Sequence, residues 1–227
     1  TGEVFQSEGM WWAHTDGKVL PEPVVLKDAD SKNVKPGDKV VFEIINYPEG
    51  DHFGEGVITK VLGDSGTPNV ETQAVIHAFQ LPGDFPEACV DQAREVTRAF
   101  DEYLRPIESG EVTLDPNERE DLRDTFICTI DPPDARDRDD AVCAQADPDP
   151  ANAGGFVLWV AIADVAHAVP PGSALDRAAR KRGTSTYFPD RVVPMLPDGL
   201  SGDLCSLHAD VDRACMAARM VIDADGD

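Results

Sequence analysis

A run of ten residues, 131–140, places five aspartates between two mostly apolar stretches of the chain. The stretches on either side, residues 125–130 and 141–144, are rich in apolar and β-branched side chains, so each is predicted to form a strand. Carboxylates this close together repel one another unless a cation stands among them or some are protonated. Arg136 and Arg138 lie inside the run, but two arginines do not neutralise five acids. The fold must therefore hold these carboxylates together or leave them spread in water.

Carboxylates clustered at strand ends suit hard divalent cations, because Mg²⁺ takes oxygen ligands in near-octahedral geometry. The run therefore predicts a divalent-metal site. A solvated Asp-rich surface turn is the alternative, because aspartate also favours turns, and the spacing alone leaves both open. A calcium loop is excluded, since the sequence lacks the alternating aspartate ladder with its glycine and distal glutamate.

The aspartate run closely resembles the signature of the ribonuclease II / ribonuclease R family. Further matches follow downstream in the family's order, and their number argues against chance. The matching segments are residues 129–131, 134–137, 139–142, 159–165, 182–189, 194–197, 204–207 and 211–213. Members of this family are processive 3′→5′ exoribonucleases that release nucleoside 5′-monophosphates. The resemblance therefore implies this activity, with Mg²⁺ or Mn²⁺ as cofactor and single-stranded RNA as partner.

The resemblance also implies roles for four of the aspartates. Asp131 and Asp140 are expected to hold the main metal ion, with Asp137 supporting it. Asp139 is expected to activate the attacking water or to hold a second metal ion, so Asp139 and Asp137 are the expected catalytic residues. Phosphodiester hydrolysis needs a nucleophilic water and neutralisation of charge on phosphate oxygens, and divalent metal ions supply both. Asp134 lies at a variable position of the motif and is assigned no role.

Tyr187 is the residue expected to stack on RNA. Proteins that bind unpaired RNA hold its bases on aromatic rings, and in the family the tyrosine of this Tyr-Phe-Pro segment stacks near the 3′ end. The resemblance therefore implies RNA binding by Tyr187. From the residues alone, a core or turn tyrosine beside Pro189 is the alternative, and Phe188 is assigned to the core.

The segment before Tyr187 is predicted to be a short helix. Ser173 is a favourable N-cap with an acid three residues later, and Gly183 ends the helix. Arg180 and Arg182 lie in its last turn, where cations complement the helix dipole. This is the most basic stretch of an acidic chain, so phosphate contact by Arg180 and Arg182 is a further hypothesis.

Residues 1–80 are predicted to form a small OB/cold-shock-like β-barrel. Short strands are separated by turns rich in Pro, Gly and Asp, which is typical of such barrels; they are expected at residues 4–6, 24–27, 39–45 and 56–63. Trp11, Trp12 and His14 are candidates for a base-stacking face. Adjacent strand residues point to opposite faces, so at most one tryptophan is expected to be exposed while the other packs in the core.

An amphipathic helix is predicted after the barrel. Asp84 and Glu87 are placed to cap its start, and apolar residues recur on one face at Val90, Ala93, Val96, Phe100 and Leu104. From residue 101 to 124 acids outnumber bases, and prolines and a glycine are expected to break regular structure at Pro106, Gly110 and Pro116.

The expected fold class is α+β. A barrel in residues 1–80 is followed by a helical and acidic linker in 81–124 and by the first part of an RNB-type catalytic domain in 125–227, in which strands carry the aspartates. Family members continue with the rest of this domain and a further RNA-binding barrel. We therefore expect the chain to lack an arginine and a glutamate near the scissile phosphate, and the aromatic partner of Tyr187.

The formal net charge of −23 is unusual for a protein that binds nucleic acid. Confinement of the basic residues to an RNA channel and an acid-biased source proteome are both open explanations. Arg138 departs from the family, whose members commonly carry an apolar residue there. The five cysteines include no Cys-x-x-Cys pair, which predicts free thiols in a cytoplasmic protein, with Cys128 and Cys143 buried in strands.

Two functions from different classes remain open. The first is a metal-dependent exoribonuclease, expected to be monomeric, without a membrane partner and completed by the missing C-terminal half. The second is a non-catalytic RNA-binding or regulatory relative that retains the motif. The intact aspartates favour the first function, because a decayed site would tolerate loss of mutually repelling acids.

Overall fold

The structure is a computed structural model that describes residues 1–17, 20–115 and 118–227. The described chain divides into two compact units. The first comprises Thr1–Gly83 with Tyr187–Val193, and the second comprises Asp84–Thr186 with Pro194–Asp227. Within these described ranges, every helix is too short or too polar to cross a membrane.

The first unit is built on a closed barrel, as the sequence predicts. Its strands, all in the described ranges, are β1 (Gly2–Ser7), β2 (Met10–Thr15), β3 (Val24–Leu26), β4 (Asp38–Asn46) and β5 (Glu55–Asp64). Their order around the barrel is β1-β2-β3-β5-β4. The β3–β5 pair is parallel and the other pairs are antiparallel, so closure leaves no long unpaired edge.

Strand alternation produces the barrel core. Val4 pairs with Ala13 across β1 and β2, and both side chains are fully buried. Trp11 packs against this core from the same face as Ala13, whereas Trp12 contacts the ring of Phe5 on the opposite face. The expectation that the two tryptophans point to opposite faces is therefore confirmed. Each buried aliphatic side chain contributes about 1.5–3 kcal/mol.

The barrel also buries a charged residue, Lys39 on β4. Its ammonium group lies 2.8 Å from Asp16 and 3.7 Å from Glu71, and its side chain is 8% exposed. Burial alone would lower the pKa of Lys39, but the hydrogen bond and charge of Asp16 outweigh it and raise that pKa. Burial likewise opposes ionisation of Asp16, yet the hydrogen bond from Lys39 keeps the pKa of Asp16 below its ordinary value. The pair therefore stabilises the folded barrel.

Helix α1 (Pro68–Ala78) follows the barrel and was not predicted from the sequence. Thr67 is its N-cap and Pro68 occupies its first position, where a missing N–H costs nothing. The segment Tyr187–Val193 belongs to this unit. It is attached to α1 because Thr72 Oγ1 donates to Asp190 Oδ1 at 2.9 Å and the Arg191 guanidinium donates to the Asn69 side chain.

The second unit contains an antiparallel sheet. The remaining strands of the described chain are β6 (Asp140–Ala146), β7 (Phe156–Ala163), β8 (Thr186–Tyr187), β9 (Val192–Val193) and β10 (Cys215–Ile222). β9 and Tyr187 of β8 lie in the segment Tyr187–Val193, which belongs to the first unit. Of these, β6, β7 and β10 form the sheet in the order β10-β7-β6, while β8 and β9 form a separate ribbon. The turn between β6 and β7 makes a hairpin that brings Asp140 opposite Ile162.

Helices pack together beside this sheet in the same unit. They are α2 (Glu87–Glu108), α3 (Val165–Ala168) and α4 (Ala174–Arg182). Their core contains Phe100 of α2 and the fully buried Leu175 and Leu200. The predicted apolar face of α2 is thus confirmed, and α4 has the predicted ends: Ser173 accepts from the Asp176 N–H, and Gly183 adopts a φ of 77°.

Two predictions about the region around α2 are wrong. Among the described residues, no side chain caps the start of α2, where the N-cap is Pro86 rather than Asp84. Pro106 does not break the helix, which continues to Glu108. A proline removes one backbone donor, and this proline lies only two residues before the helix ends. Pro116 lies outside the described residues.

The strand expected at residues 125–130 does not form. Only Cys128 makes a β-bridge, with Val142, while the side chains of Phe126 and Ile130 are 82% and 84% exposed. An apolar run becomes a strand only where a partner edge matches it for several residues. β6 is the edge strand of its sheet, and this run pairs with it at the single position Cys128–Val142. Cys128 is accordingly exposed and Cys143 half-buried, so the predicted burial of these free thiols is wrong.

We predict that Asp16→Asn lowers the free energy of unfolding by about 1–2 kcal/mol, because it leaves the buried Lys39 ammonium with only the more distant Glu71 as a charged partner. Urea denaturation at pH 7 measures this, with the exposed Asp51→Asn as the control. Since the folded pKa of Asp16 is lowered, the wild-type advantage should disappear as pH falls below the ordinary value of 3.8. An advantage that persists at pH 2 would contradict the ion-pair explanation.

Candidate active site

The aspartate motif forms a loop that enters β6. A turn opens it, in which the Ala135 N–H donates to the Pro132 carbonyl at 3.0 Å. At its end the carbonyl of Asp139 accepts from the Ala163 N–H at 2.9 Å, which attaches the loop to the end of β7. Asp140 begins β6, so of the four assigned aspartates it alone lies in a described strand.

Three of the assigned aspartates lie close enough to the fourth, Asp139, to raise its pKa. Partial burial raises the pKa of Asp139, and the negative charges of Asp137, Asp140 and Asp131 raise it further, in that order. Asp134, the aspartate given no role, is not among these causes.

The donor chemistry of the loop fits a hard divalent cation. All four side chains offer oxygen ligands, and a cation would relieve the repulsion that raises the pKa of Asp139. Within residues 1–17, 20–115 and 118–227, however, no three His, Cys, Asp or Glu side chains are already arranged to hold a metal ion. Mg²⁺ keeps several waters and often binds through one or two carboxylates, so a ready-made cage is not required.

Both arginines of the motif point to partners other than the aspartates around Asp139. The Arg136 guanidinium donates to Asp198 at 2.9 Å. Arg138 lies 3.0 Å from His208 Nδ1, and His208 Nε2 lies 3.1 Å from a backbone carbonyl. Neither arginine is among the causes of the Asp139 pKa shift.

Sequence reasoning missed Ser206 as a component of this site. Its side chain is completely buried, and its hydroxyl bonds to the backbone of both Arg136 and Arg138. The only signal in the sequence was its position in the matched segment 204–207, which carries no indication of what it contacts.

The predicted RNA contacts differ in their surroundings. Tyr187 is 62% exposed in the first unit. In the second unit, Arg180 is exposed and pairs with Asp176 at 3.1 Å. Arg182 lies 3.6 Å above the Phe85 ring and donates to the Pro194 carbonyl at 3.1 Å. Arg182 therefore has a structural role in the second unit, while Arg180 presents its charge to solvent.

An aromatic patch lies on the outer face of the barrel. The rings of Phe5 and His14 stack 4.4 Å apart, and Trp12 meets Phe53 edge to face at 5.0 Å. Trp12 and His14 were candidates from the sequence, whereas Phe5 and Phe53 were missed because their strand and turn positions gave no indication of a shared surface. Such a patch offers π-faces on which bases can stack.

A groove of about 1480 Å³ in the second unit carries several arginines. Arg119 pairs with Asp164 at 2.7 Å, and Arg123 pairs with Asp121 at 2.6 Å. The hydrogen bonds from Arg123 lower the pKa of Asp121 to about 2. The groove does not include residues 131–140, and these paired arginines offer little net charge to a phosphate.

Two parts of the chain match known protein domains. The cold shock domain matches residues 12–86, which include most of the barrel, and the RNB domain matches residues 119–227, which include the aspartate loop. The chain thus combines a cold-shock barrel with an RNB region.

The resemblance to the ribonuclease II / ribonuclease R family is confirmed, because the chain matches the RNB and cold shock domains and is similar along its whole length to ribonuclease R proteins. It is 36% identical to ribonuclease R of Acidithiobacillus ferrooxidans over 99% of this chain and 48% of that protein. It is 42% identical to ribonuclease R of Thermotoga maritima over 98% of this chain and 30% of that protein. The chain therefore spans less than half the length of either relative.

Solved structures agree in fold. RNase R of Mycoplasma genitalium in complex with double-stranded RNA has a TM-score of 0.75 and 26% identity, over 98% of this chain and 37% of that one. Yeast Ssd1, described as a pseudonuclease, has a TM-score of 0.60 and 18% identity, over 98% of this chain and 27% of that one. The second likeness concerns the fold alone, so any activity must be argued from the aspartates.

We predict that Asp140→Asn lowers the pKa of Asp139, because it removes one of the negative charges that oppose its ionisation. A carboxyl ¹³C NMR titration in metal-free buffer measures the change. Asp134→Asn is the matched control and should leave the pKa of Asp139 where it is. An Asp139 pKa that is the same in wild type and Asp140→Asn would show that the two carboxylates do not interact.

Proposed function

We propose that this protein acts in Mg²⁺-dependent 3′→5′ exoribonucleolytic degradation of RNA to nucleoside 5′-monophosphates, with Mn²⁺ as a possible substitute for Mg²⁺. The observation that carries the proposal is the electrostatic coupling of Asp131, Asp137 and Asp140 to Asp139 in one loop. Clustered carboxylates repel one another and offer the oxygen ligands that divalent cations take. Similarity to the ribonuclease II / ribonuclease R family supports the same function.

The proposed roles are those that the resemblance implies. Asp131 and Asp140 hold the cation, and Asp137 supports it. Burial and neighbouring carboxylates raise the pKa of Asp139, and a raised pKa favours acceptance of a proton from water. When bound, the divalent metal ion neutralises charge on the phosphate and lowers the pKa of a coordinated water.

RNA is proposed to reach this site as a single strand. Solved complexes of Mycoplasma genitalium RNase R contain double-stranded RNA and ribose-methylated single-stranded RNA, which supports RNA as the ligand class here. Tyr187 is proposed to stack on a base near the 3′ end, and the patch of Phe5, Trp12, His14 and Phe53 on bases further along. Arg180 offers phosphate contact, whereas the contacts of Arg182 within the fold make it the weaker candidate.

A non-catalytic RNA-binding protein is the second candidate. One observation favours it: within the described ranges, no group of three potential metal ligands is already arranged to hold an ion. The intact set of four aspartates argues for the nuclease. Turnover with labelled RNA decides between the two.

We predict that this chain releases nucleoside 5′-monophosphates from the 3′ end of single-stranded RNA, and that EDTA stops the release. Asp139→Asn should lower the rate by about 10²–10⁴-fold, because it removes the group that accepts the proton. RNAs labelled at the 3′ or the 5′ end, incubated with and without Mg²⁺, identify the products. Asp134→Asn, a change of the same type in the same loop, should retain the wild-type rate.

Three other outcomes would contradict parts of this proposal. Release that resists EDTA would exclude the metal, and equal rates for Asp139→Asn and wild type would exclude the assigned carboxylate. RNA binding without turnover in the presence of Mg²⁺ would favour the non-catalytic candidate for this polypeptide.

We predict that Tyr187→Ala weakens binding of a short single-stranded RNA by about 5–100-fold, the loss expected for one stacked base. Fluorescence anisotropy with EDTA present measures binding without turnover. Phe79→Ala, which removes another exposed ring from the same unit, should bind as wild type does. Equal losses in both variants would mean that Tyr187 has no specific stacking role.

A further inference from the structure

We propose that Ser206 positions the aspartate loop, residues 131–140. The effect of this positioning on metal binding rests on the proposed function above. The Ser206 hydroxyl donates a hydrogen bond to the carbonyl oxygen of Arg136 at 2.8 Å and accepts one from the Arg138 N–H at 2.9 Å. Asp137 is the residue between these two contacts. A single side chain therefore fixes the backbone immediately before and after a proposed metal ligand.

Neighbouring contacts extend this attachment along the loop. The Leu207 N–H donates to the carbonyl of Arg138 at 2.9 Å, and the Ala163 N–H donates to the carbonyl of Asp139 at the same distance. Backbone from two other segments thus holds the peptide groups before and after Asp139. Ser206 is the buried side chain at the centre of this arrangement, and it acts through the backbone rather than on the carboxylates themselves.

Ser206 is itself held by the core of the second unit. It follows the helical turn Leu200–Leu204, of which Leu200 and Leu204 are buried against the core that includes α2. The Ser206 N–H donates to the carbonyl of Asp203 at 2.9 Å. Because Ser206 has 0% exposure, water does not readily replace its hydroxyl, and removing it would leave a carbonyl and an N–H of the loop without their partner.

The chemistry of this position favours a small hydroxyl. A hydroxyl group donates and accepts through one atom, as the contacts with Arg136 and Arg138 require. It is also neutral, so it holds the loop without cancelling the negative charge that attracts a cation. A lysine or arginine at position 206 would reduce the repulsion among the aspartates, but its positive charge would also compete with the metal ion for the carboxylates. Ordering the loop before the ion binds reduces the entropy lost on binding.

The test compares Ser206→Ala with Ser201→Ala in this chain. Ser201 lies in the preceding turn, and its hydroxyl contacts the Leu196 carbonyl at 3.5 Å rather than the aspartate loop. In Ser206→Ala, hydrogen exchange of the Arg138 amide should accelerate by about tenfold or more, and the Mn²⁺ dissociation constant measured calorimetrically should rise by about tenfold. Amides of α2 should keep wild-type exchange rates, and Ser201→Ala should change neither quantity.

Wild-type exchange of the Arg138 amide in Ser206→Ala would overturn the proposal. If Ser206→Ala also accelerates exchange of the α2 amides, Ser206→Cys is tested instead, because a thiol fills the site but forms weak hydrogen bonds. Faster exchange of the Arg138 amide with wild-type exchange in α2 then supports the proposal. Wild-type exchange of the Arg138 amide in Ser206→Cys overturns it. If the wild type binds no Mn²⁺ while Ser206→Ala still loosens the loop, the metal site of the proposed function fails and the positioning role stands.

Discussion

Repulsion among the aspartates of residues 131–140 is the constraint on which the site of the second unit depends. Neighbouring negative charges oppose the ionisation of Asp139 and raise its pKa. Hydrogen bonds, which contribute about 0.5–1.5 kcal/mol each, hold the loop from Ser206, Leu207 and Ala163. All of these contacts are neutral, so they hold the loop without placing positive charge beside the carboxylates.

The residues proposed to act on RNA are divided between the two units of the fold. The aspartates and Arg180 belong to the second unit, whereas the segment that carries Tyr187 belongs to the first. That segment packs on helix α1 through the Thr72–Asp190 hydrogen bond. The position of Tyr187 in the first unit therefore depends on α1 as well as on its own strand, although neither α1 nor this contact was predicted from the sequence.

Sequence patterns predicted the elements whose signals are local. The barrel strands, the apolar face of α2 and the Ser173 cap of α4 follow from alternation, periodicity and capping over a few residues. The strand predicted at residues 125–130 does not form, because a strand needs a distant partner that matches it over several residues, and this run pairs with β6 only at Cys128. The prediction that Pro106 breaks α2 was wrong because the cost of a proline depends on its distance from the helix end, which composition does not specify.

The sequence by itself determined the chemistry that the loop offers: five carboxylates within ten residues, all of which provide oxygen ligands. Only the tertiary structure decided how they are held. The contacts of Ser206 join residues about 70 positions apart, and the partners of Arg138 and Arg182 are equally absent from the local pattern. Local patterns encode residue type and short-range geometry, whereas hydrogen-bond partners far apart in the chain are set by packing of the core that brings them together.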